Sequence, residues 1–147
     1  GRMTWSSETA QVLERVAAHL QPGGLFVLDL FNPDLSQLTE ARGVLVHEYA
    51  KTHPASGHLV LKFHAGQVDL ADQRLDVTFI YDELDDDGAI RRTVAPLTMH
   101  YFWRRELELL LDKAGYQVEH FYGCYELDEH TAESERMIAV ATRRDRE

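Results

Sequence analysis

Asp29 and Asn32 flank the end of the apolar run Leu25-Phe26-Val27-Leu28, and they are the residues best placed to do chemistry in this chain. Loops converge at the carboxyl ends of sheet strands, so an acid or an amide there can touch a substrate. The same two residues can also work structurally, Asn32 as a helix cap and Asp29 as the partner of a nearby backbone group. The eight histidines are spread through the chain, with no His-Glu-x-x-His among them. The best mixed set of metal donors is Glu119-His120, Cys124, Glu126, Glu129 and His130, and it reads first as ordinary polar loop. Cys124 would need a base to act as a nucleophile, and His120, four residues upstream on a strand, is poorly placed to serve. The run Asp85-Asp86-Asp87-Gly88 lacks the alternating ligands of a calcium loop and suits a solvated hairpin turn. No catalytic residue and no metal ligand is assigned from these patterns.

The totals narrow the setting. With 147 residues the chain is long enough for one compact domain with a real core. The formal net charge of -10 opposes unaided binding to nucleic acid or anionic lipid. Arg91-Arg92, Arg104-Arg105 and the Arg143, Arg144, Arg146 group are expected to be solvated charge. A single cysteine allows no intrachain disulfide and suits a reducing, cytoplasmic setting. No apolar run approaches the ~20 residues of a spanning helix, so no membrane role is expected.

The elements that would position these residues follow from periodicity. Val12, Leu13, Val16, Ala17 and Leu20 recur with helical spacing behind Ser6 or Ser7 as cap, and Gln21-Pro22-Gly23-Gly24 ends that helix. The unbroken apolar run after it suits a strand buried on both faces, as in a parallel sheet covered by helices. A short helix is expected over Pro33 to Glu40, with Asn32 as its cap. Residues 44–100 then alternate in period two: a strand over Val44 to Lys51, then strands around Leu59-Leu61-Phe63, Leu75-Val77-Phe79-Tyr81 and Ile90 to Met99. Short turns between them predict an antiparallel ribbon or small sheet of about three or four strands. A helix over Arg104 to Ala114, a strand over Tyr116 to Tyr122, a polar loop from Gly123 and a closing strand over Met137 to Thr142 complete the chain. Phe79, Tyr81, Tyr101, Phe102 and Trp103 read as core packing, or as an acceptor pocket or dimer contact.

Four of these segments resemble one known family in the right order. Leu20-Gln21-Pro22-Gly23-Gly24-Leu25-Phe26-Val27-Leu28-Asp29 is similar to the helix-turn-strand that opens the fifth strand of class I S-adenosylmethionine-dependent methyltransferases. Phe31-Asn32-Pro33-Asp34 resembles a subgroup sequence just after that strand. Tyr101 to Tyr116 resembles the family's late helix with its Ala-Gly-aromatic exit, and Tyr122-Gly123-Cys124-Tyr125 resembles the Tyr-Gly-x-Tyr that ends its sixth strand.

The resemblance implies an α/β fold: a partial Rossmann-like methyltransferase sheet carrying an inserted antiparallel β ribbon or small sheet, residues 1–147 forming one domain with 44–100 as the insertion. It implies the C-terminal part of an enzyme that methylates a small-molecule acceptor, with Phe31, Asn32, Pro33 and Tyr101 on the acceptor side, Tyr122 and Tyr125 near the rim, and Phe31, Asn32, Tyr101 and Tyr122 as the substrate-binding set. In the family the cofactor, S-adenosylmethionine, is held by a glycine-rich loop and an acidic residue in the N-terminal half. No segment here matches them, so no cofactor-binding residue is assigned, none is expected to be bound by this chain alone, and the isolated chain is expected to be inactive. The unpaired edge of the Leu25 strand calls for a homodimer or for the missing N-terminal half. The alternative is a truncated, non-catalytic, oligomeric interaction module.

Overall fold

The structure, a computed structural model, describes residues 5–34, 36, 38 and 43–144. The chain has an α/β fold with two antiparallel sheets and few helices, consistent with a partial Rossmann-like methyltransferase sheet. It divides into two compact units, one from Gly1–Asp34 with Phe102–Glu147 and one from Leu35–Tyr101.

In the first unit helix α1 (Trp5–His19) leads through the Pro-Gly-Gly turn into β1 (Leu25–Phe31). Helix α2 (Arg104–Lys113), β6 (Tyr116–Tyr122) and β7 (Arg136–Arg143) follow late in the chain. The sheet order is β1-β7-β6, antiparallel throughout, with the last strand in the middle. The turn works because Gly23 takes φ +72, in the left-handed region, and because a Cβ on Gly24 would lie 2.7 Å from the Gln21 carbonyl oxygen. Leu13 and Ala17 of α1 and Leu107 and Leu111 of α2 pack in one cluster with Tyr116, Phe121, Met137, Ala139 and Ala141. Phe26, Leu28 and Leu30 of β1 close that cluster, and the Tyr116 hydroxyl donates to the Leu13 carbonyl at 3.0 Å. Full burial of Leu107 or Leu111 contributes about 1.5–3 kcal/mol each.

Two sequence expectations need correction here. β1 is not buried on both faces and its neighbour is not parallel. Its burial alternates, Leu25 being 59% and Val27 53% exposed, because the core cluster with both helices uses one face of the sheet only. Ser6 and Ser7 lie within α1, Trp5–His19, rather than at the position before it that the sequence suggested. Much of the short helix expected over Pro33 to Glu40 falls outside the described residues; Ser36 and Leu38 are helical, and Pro33 and Asp34 are irregular. Ala114 is the C-cap of α2, and Gly115 beyond it has φ +89.

The second unit is a four-stranded antiparallel meander, β2 (Leu45–Thr52), β3 (Leu59–Asp69), β4 (Arg74–Leu84) and β5 (Ile90–His100), in that order. The period-two alternation read from the sequence is its pleat. A bulge at Glu48 breaks the register between His47 and Tyr49. Among the described residues no helix is long and apolar enough to cross a membrane.

Candidate functional site

At the carboxyl end of β1 the loop between β6 and β7 folds back over Asn32. The Asn32 backbone N–H donates to the Glu135 carbonyl at 3.2 Å, and its side-chain amide donates to the carbonyls of Ala132 and Ser134 at 3.0 and 2.9 Å. With both amide hydrogens committed to carbonyls, Oδ1 must accept, so the His130 Nε2 at 2.9 Å carries a hydrogen. Burial, and then the nearby Arg104 guanidinium, push the His130 pKa below its usual value, which favours the neutral ring. The His130 backbone N–H donates to the Phe121 carbonyl at 3.0 Å, and the two rings lie 6.4 Å apart. The Arg104 guanidinium covers the Phe121 ring at 4.9 Å.

Two residues before Phe31, Asp29 faces away from the helices. Its carboxylate takes two hydrogen bonds from Arg136, at 2.8 and 2.9 Å, and one from the Tyr125 hydroxyl at 2.8 Å. Arg136 also lies over the Tyr125 ring at 4.9 Å. The Arg136 hydrogen bonds, opposed by partial desolvation and aided by Tyr125, hold the Asp29 carboxyl below the usual carboxylate range. The hydroxyl of Tyr125 is correspondingly raised, first by its bond to Asp29. The β6–β7 loop is therefore clamped at two points, and it forms a fixed rim.

The first sheet brings Phe31, Asn32 and Tyr122 to this end, with Phe31 in register with Arg136 and Tyr122 with Ile138, two positions along β7. Tyr101 belongs to the second unit. It is buried, its backbone N–H donates to the Gln73 carbonyl, and its carbonyl accepts from the Gln73 amide. Burial raises the Tyr101 pKa. The clamp pairs Asp29–Arg136 and Asn32–His130 were not read from the sequence. The partners stand about a hundred residues apart, and the only local hint was the cluster of polar and aromatic types between Tyr122 and Arg136.

Elsewhere, an open groove of about 690 Å³ runs between α2 and β6. Six consecutive strand residues, Tyr116 to Phe121, line it, which identifies it as an edge groove, since side chains alternate faces. In the second unit Lys62 pairs with Glu48 at 2.7 Å and lies over the rings of Phe79, Tyr49 and Tyr81 at 4.5, 5.7 and 5.9 Å. Glu48 also meets His64 at 2.7 Å. Among the described residues no three His, Cys, Asp or Glu side chains converge as metal ligands.

Among the described residues, neither Gly23-Gly24 nor Asp29 is arranged to hold S-adenosylmethionine. Gly23-Gly24 lies between a helix and the strand after it, and Gly24 is needed for the turn itself. A glycine loop that approaches a ligand follows a strand and opens a helix. Asp29, a carboxylate near a strand end, already has three hydrogen bonds from Arg136 and Tyr125.

No protein-family model and no curated protein matches the sequence. Solved structures do match. The CcbJ methyltransferase from Streptomyces caelestis superposes with a TM-score of 0.76 at 23% identity, over 95% of this chain and 54% of that one. An S-adenosylmethionine-dependent methyltransferase from Clostridium acetobutylicum gives 0.76 at 14% identity, over 95% and 52%. CalS10, an amino pentose methyltransferase from Micromonospora echinaspora, gives 0.68 at 20% identity, over 96% and 52%. The chain thus spans about half the length of the structures it matches, and what it shares with that half of these methyltransferases is the fold.

Proposed function

We propose that this chain is the C-terminal part of an S-adenosylmethionine-dependent methyltransferase acting on a small-molecule acceptor, and that these 147 residues alone do not hold the cofactor. The observation that carries this reading is the fit of nearly the whole chain to about half of several methyltransferase structures. The ordered sequence resemblance, from the Pro-Gly-Gly turn to Tyr122-Gly123-Cys124-Tyr125, supports the same half. The bare face of the first sheet is what such a half leaves behind: Leu25, Val27 and Phe31 are exposed apolar side chains on a strand whose outer edge has no sheet partner among the described residues. The remaining half, with its glycine loop and ribose-binding carboxylate, is the partner this surface suits.

In this reading Phe31, Asn32 and the clamped β6–β7 loop shape the acceptor side. Methyl transfer needs donor and acceptor aligned and water kept out, and a rigid rim serves both ends. Calorimetric titration of the chain with S-adenosylmethionine is expected to give no specific heat, while a longer protein in which a glycine-rich strand–loop–helix segment precedes Trp5 binds it. Saturable micromolar binding by the 147 residues alone defeats the half-enzyme reading. A non-catalytic oligomeric module is the second reading, favoured by the apolar surface of the second unit.

A further inference from the structure

A second carboxylate cluster sits on the four-stranded sheet, within the second unit alone. The registers set Tyr49 of β2 and Tyr81 of β4 on either side of Lys62 in β3, with Phe79 beside His64 two positions on. Alternate residues of a strand share a face, so these side chains stand together. The bulge makes Glu48 their neighbour. Regular alternation would send Glu48 and Tyr49 to opposite faces, and the extra residue lets both serve the face of His64. Glu48 divides its carboxylate between two donors: Oε2 meets Lys62 Nζ at 2.7 Å, and Oε1 meets His64 Nδ1 at 2.7 Å. The Lys62 hydrogen bond, opposed by partial desolvation and aided by His64, holds the Glu48 carboxyl below its usual range. An ionised carboxylate only accepts, so Nδ1 carries a hydrogen. In the neutral ring Nε2 is then the atom that takes a proton. The Phe79 ring stands edge-on to the imidazole at 6.4 Å. The side chains of Lys62, Glu48 and His64 are 18%, 26% and 29% exposed, which shields the pair from bulk water and still admits a small molecule.

We infer that His64 is a general base, with Glu48 as its positioning residue and Lys62 holding the other carboxylate oxygen. The substrate class is a small molecule with a hydroxyl or ammonium proton. The O–H or N–H bond breaks, the proton joins His64 Nε2, and the electron pair stays on the oxygen or nitrogen. No further reactant enters that step. The imidazolium formed keeps its Nδ1 hydrogen on Glu48, whose negative charge stabilises it. The cluster supplies what a base needs: a fixed ring, one basic nitrogen and a partner for the charge it gains. His58 offers a contrast. Its Nδ1 meets Glu83 Oε1 at 2.9 Å, but the same oxygen also accepts from the Ser56 hydroxyl at 2.8 Å. That pair fastens the turn between β2 and β3 to β4, and its acceptor oxygen is shared. The use of the released nucleophile as a methyl acceptor rests on the methyltransferase reading, whereas the base itself does not.

The test uses the 147-residue chain and a nitrobenzisoxazole, whose ring opens with a colour change when a base removes its C–H proton. Neither cofactor nor methyl acceptor is involved. The wild type is expected to speed this elimination with saturation, and His64→Gln to lower the rate roughly 100-fold. Glu48→Gln is expected to lose most of the rate and Glu48→Asp to recover a part, while His58→Gln leaves it unchanged. Nitrogen NMR is expected to place the hydrogen of neutral His64 on Nδ1, with that preference lost in Glu48→Gln. A wild-type rate no higher than that of free imidazole at the same concentration overturns the inference. So does a rate that survives His64→Gln, or a hydrogen on Nε2. Should His64→Gln unfold, as read by circular dichroism, the wild-type rate and spectrum still decide. If a longer protein transfers no methyl group while the elimination persists, the methyltransferase reading fails and the base stands.

Discussion

Asn32 spends its whole side chain on the loop that follows β6, giving two hydrogens to carbonyls and taking one from His130. Truncating it to alanine leaves those partners to find water or go unpaired, so Asn32→Ala is expected to cost about 1–3 kcal/mol, read by urea unfolding. His130 adds a pH signature. Its folded pKa lies below the unfolded value of about 6.5 because of burial and Arg104. As pH falls through that unfolded value the unfolded chain takes the proton first, so stability drops, and the loss stops once pH passes the folded pKa. The melting temperature of the wild type is therefore expected to fall as pH is lowered from 7 through the unfolded value, and that fall should shrink in His130→Asn. Asp29 acts in a lower window. Its depressed pKa gives stability that is present above the ordinary carboxylate range and lost as pH falls through the folded value, and Asp29→Asn removes that acid limb.

Gly123 decides how the β6–β7 loop closes. A Cβ there would lie 2.1 Å from the Ser134 Oγ and 2.7 Å from its Cβ, with the Glu129 carbonyl at 3.3 Å. Gly123→Ala is expected to cost about 1–3 kcal/mol in a thermal or denaturant melt, and Ser134→Gly beside it should recover a large part. How far such elements could be read from sequence depends on where their partners lie. The meander from Leu45 to His100 was legible because each strand pairs with its sequence neighbour and shows its alternation openly. The helix over Arg104–Lys113 was legible from Leu107, Leu110 and Leu111 and its glycine stop. β1 was misread because Leu25-Phe26-Val27-Leu28 is apolar on both faces, and such a run does not record which face the helices cover. The grouping of Phe31, Asn32, Tyr101 and Tyr122 rests on the family resemblance, while the partners of Asn32 and Asp29 depend on tertiary pairing.

For the molecule as a whole, surface and core answer differently to the same kind of change. Val27→Lys, on the face that the helices leave open, should shift stability by no more than about 0.5 kcal/mol. Leu111→Ala, at a fully buried site, should cost about 2–5 kcal/mol, both read from denaturant midpoints. The antiparallel pairing of β1 with β7 also has a consequence for how the protein is made. Leu25 to Phe31 leave the ribosome more than a hundred residues before the strand that must sit between them and β6. The meander can close on itself while synthesis continues, but β1 and β6 are joined only through Arg136 to Arg143, so these two strands stay apart until that segment emerges. A premature stop before Arg136 would then spare the meander and leave the other sheet without its central strand.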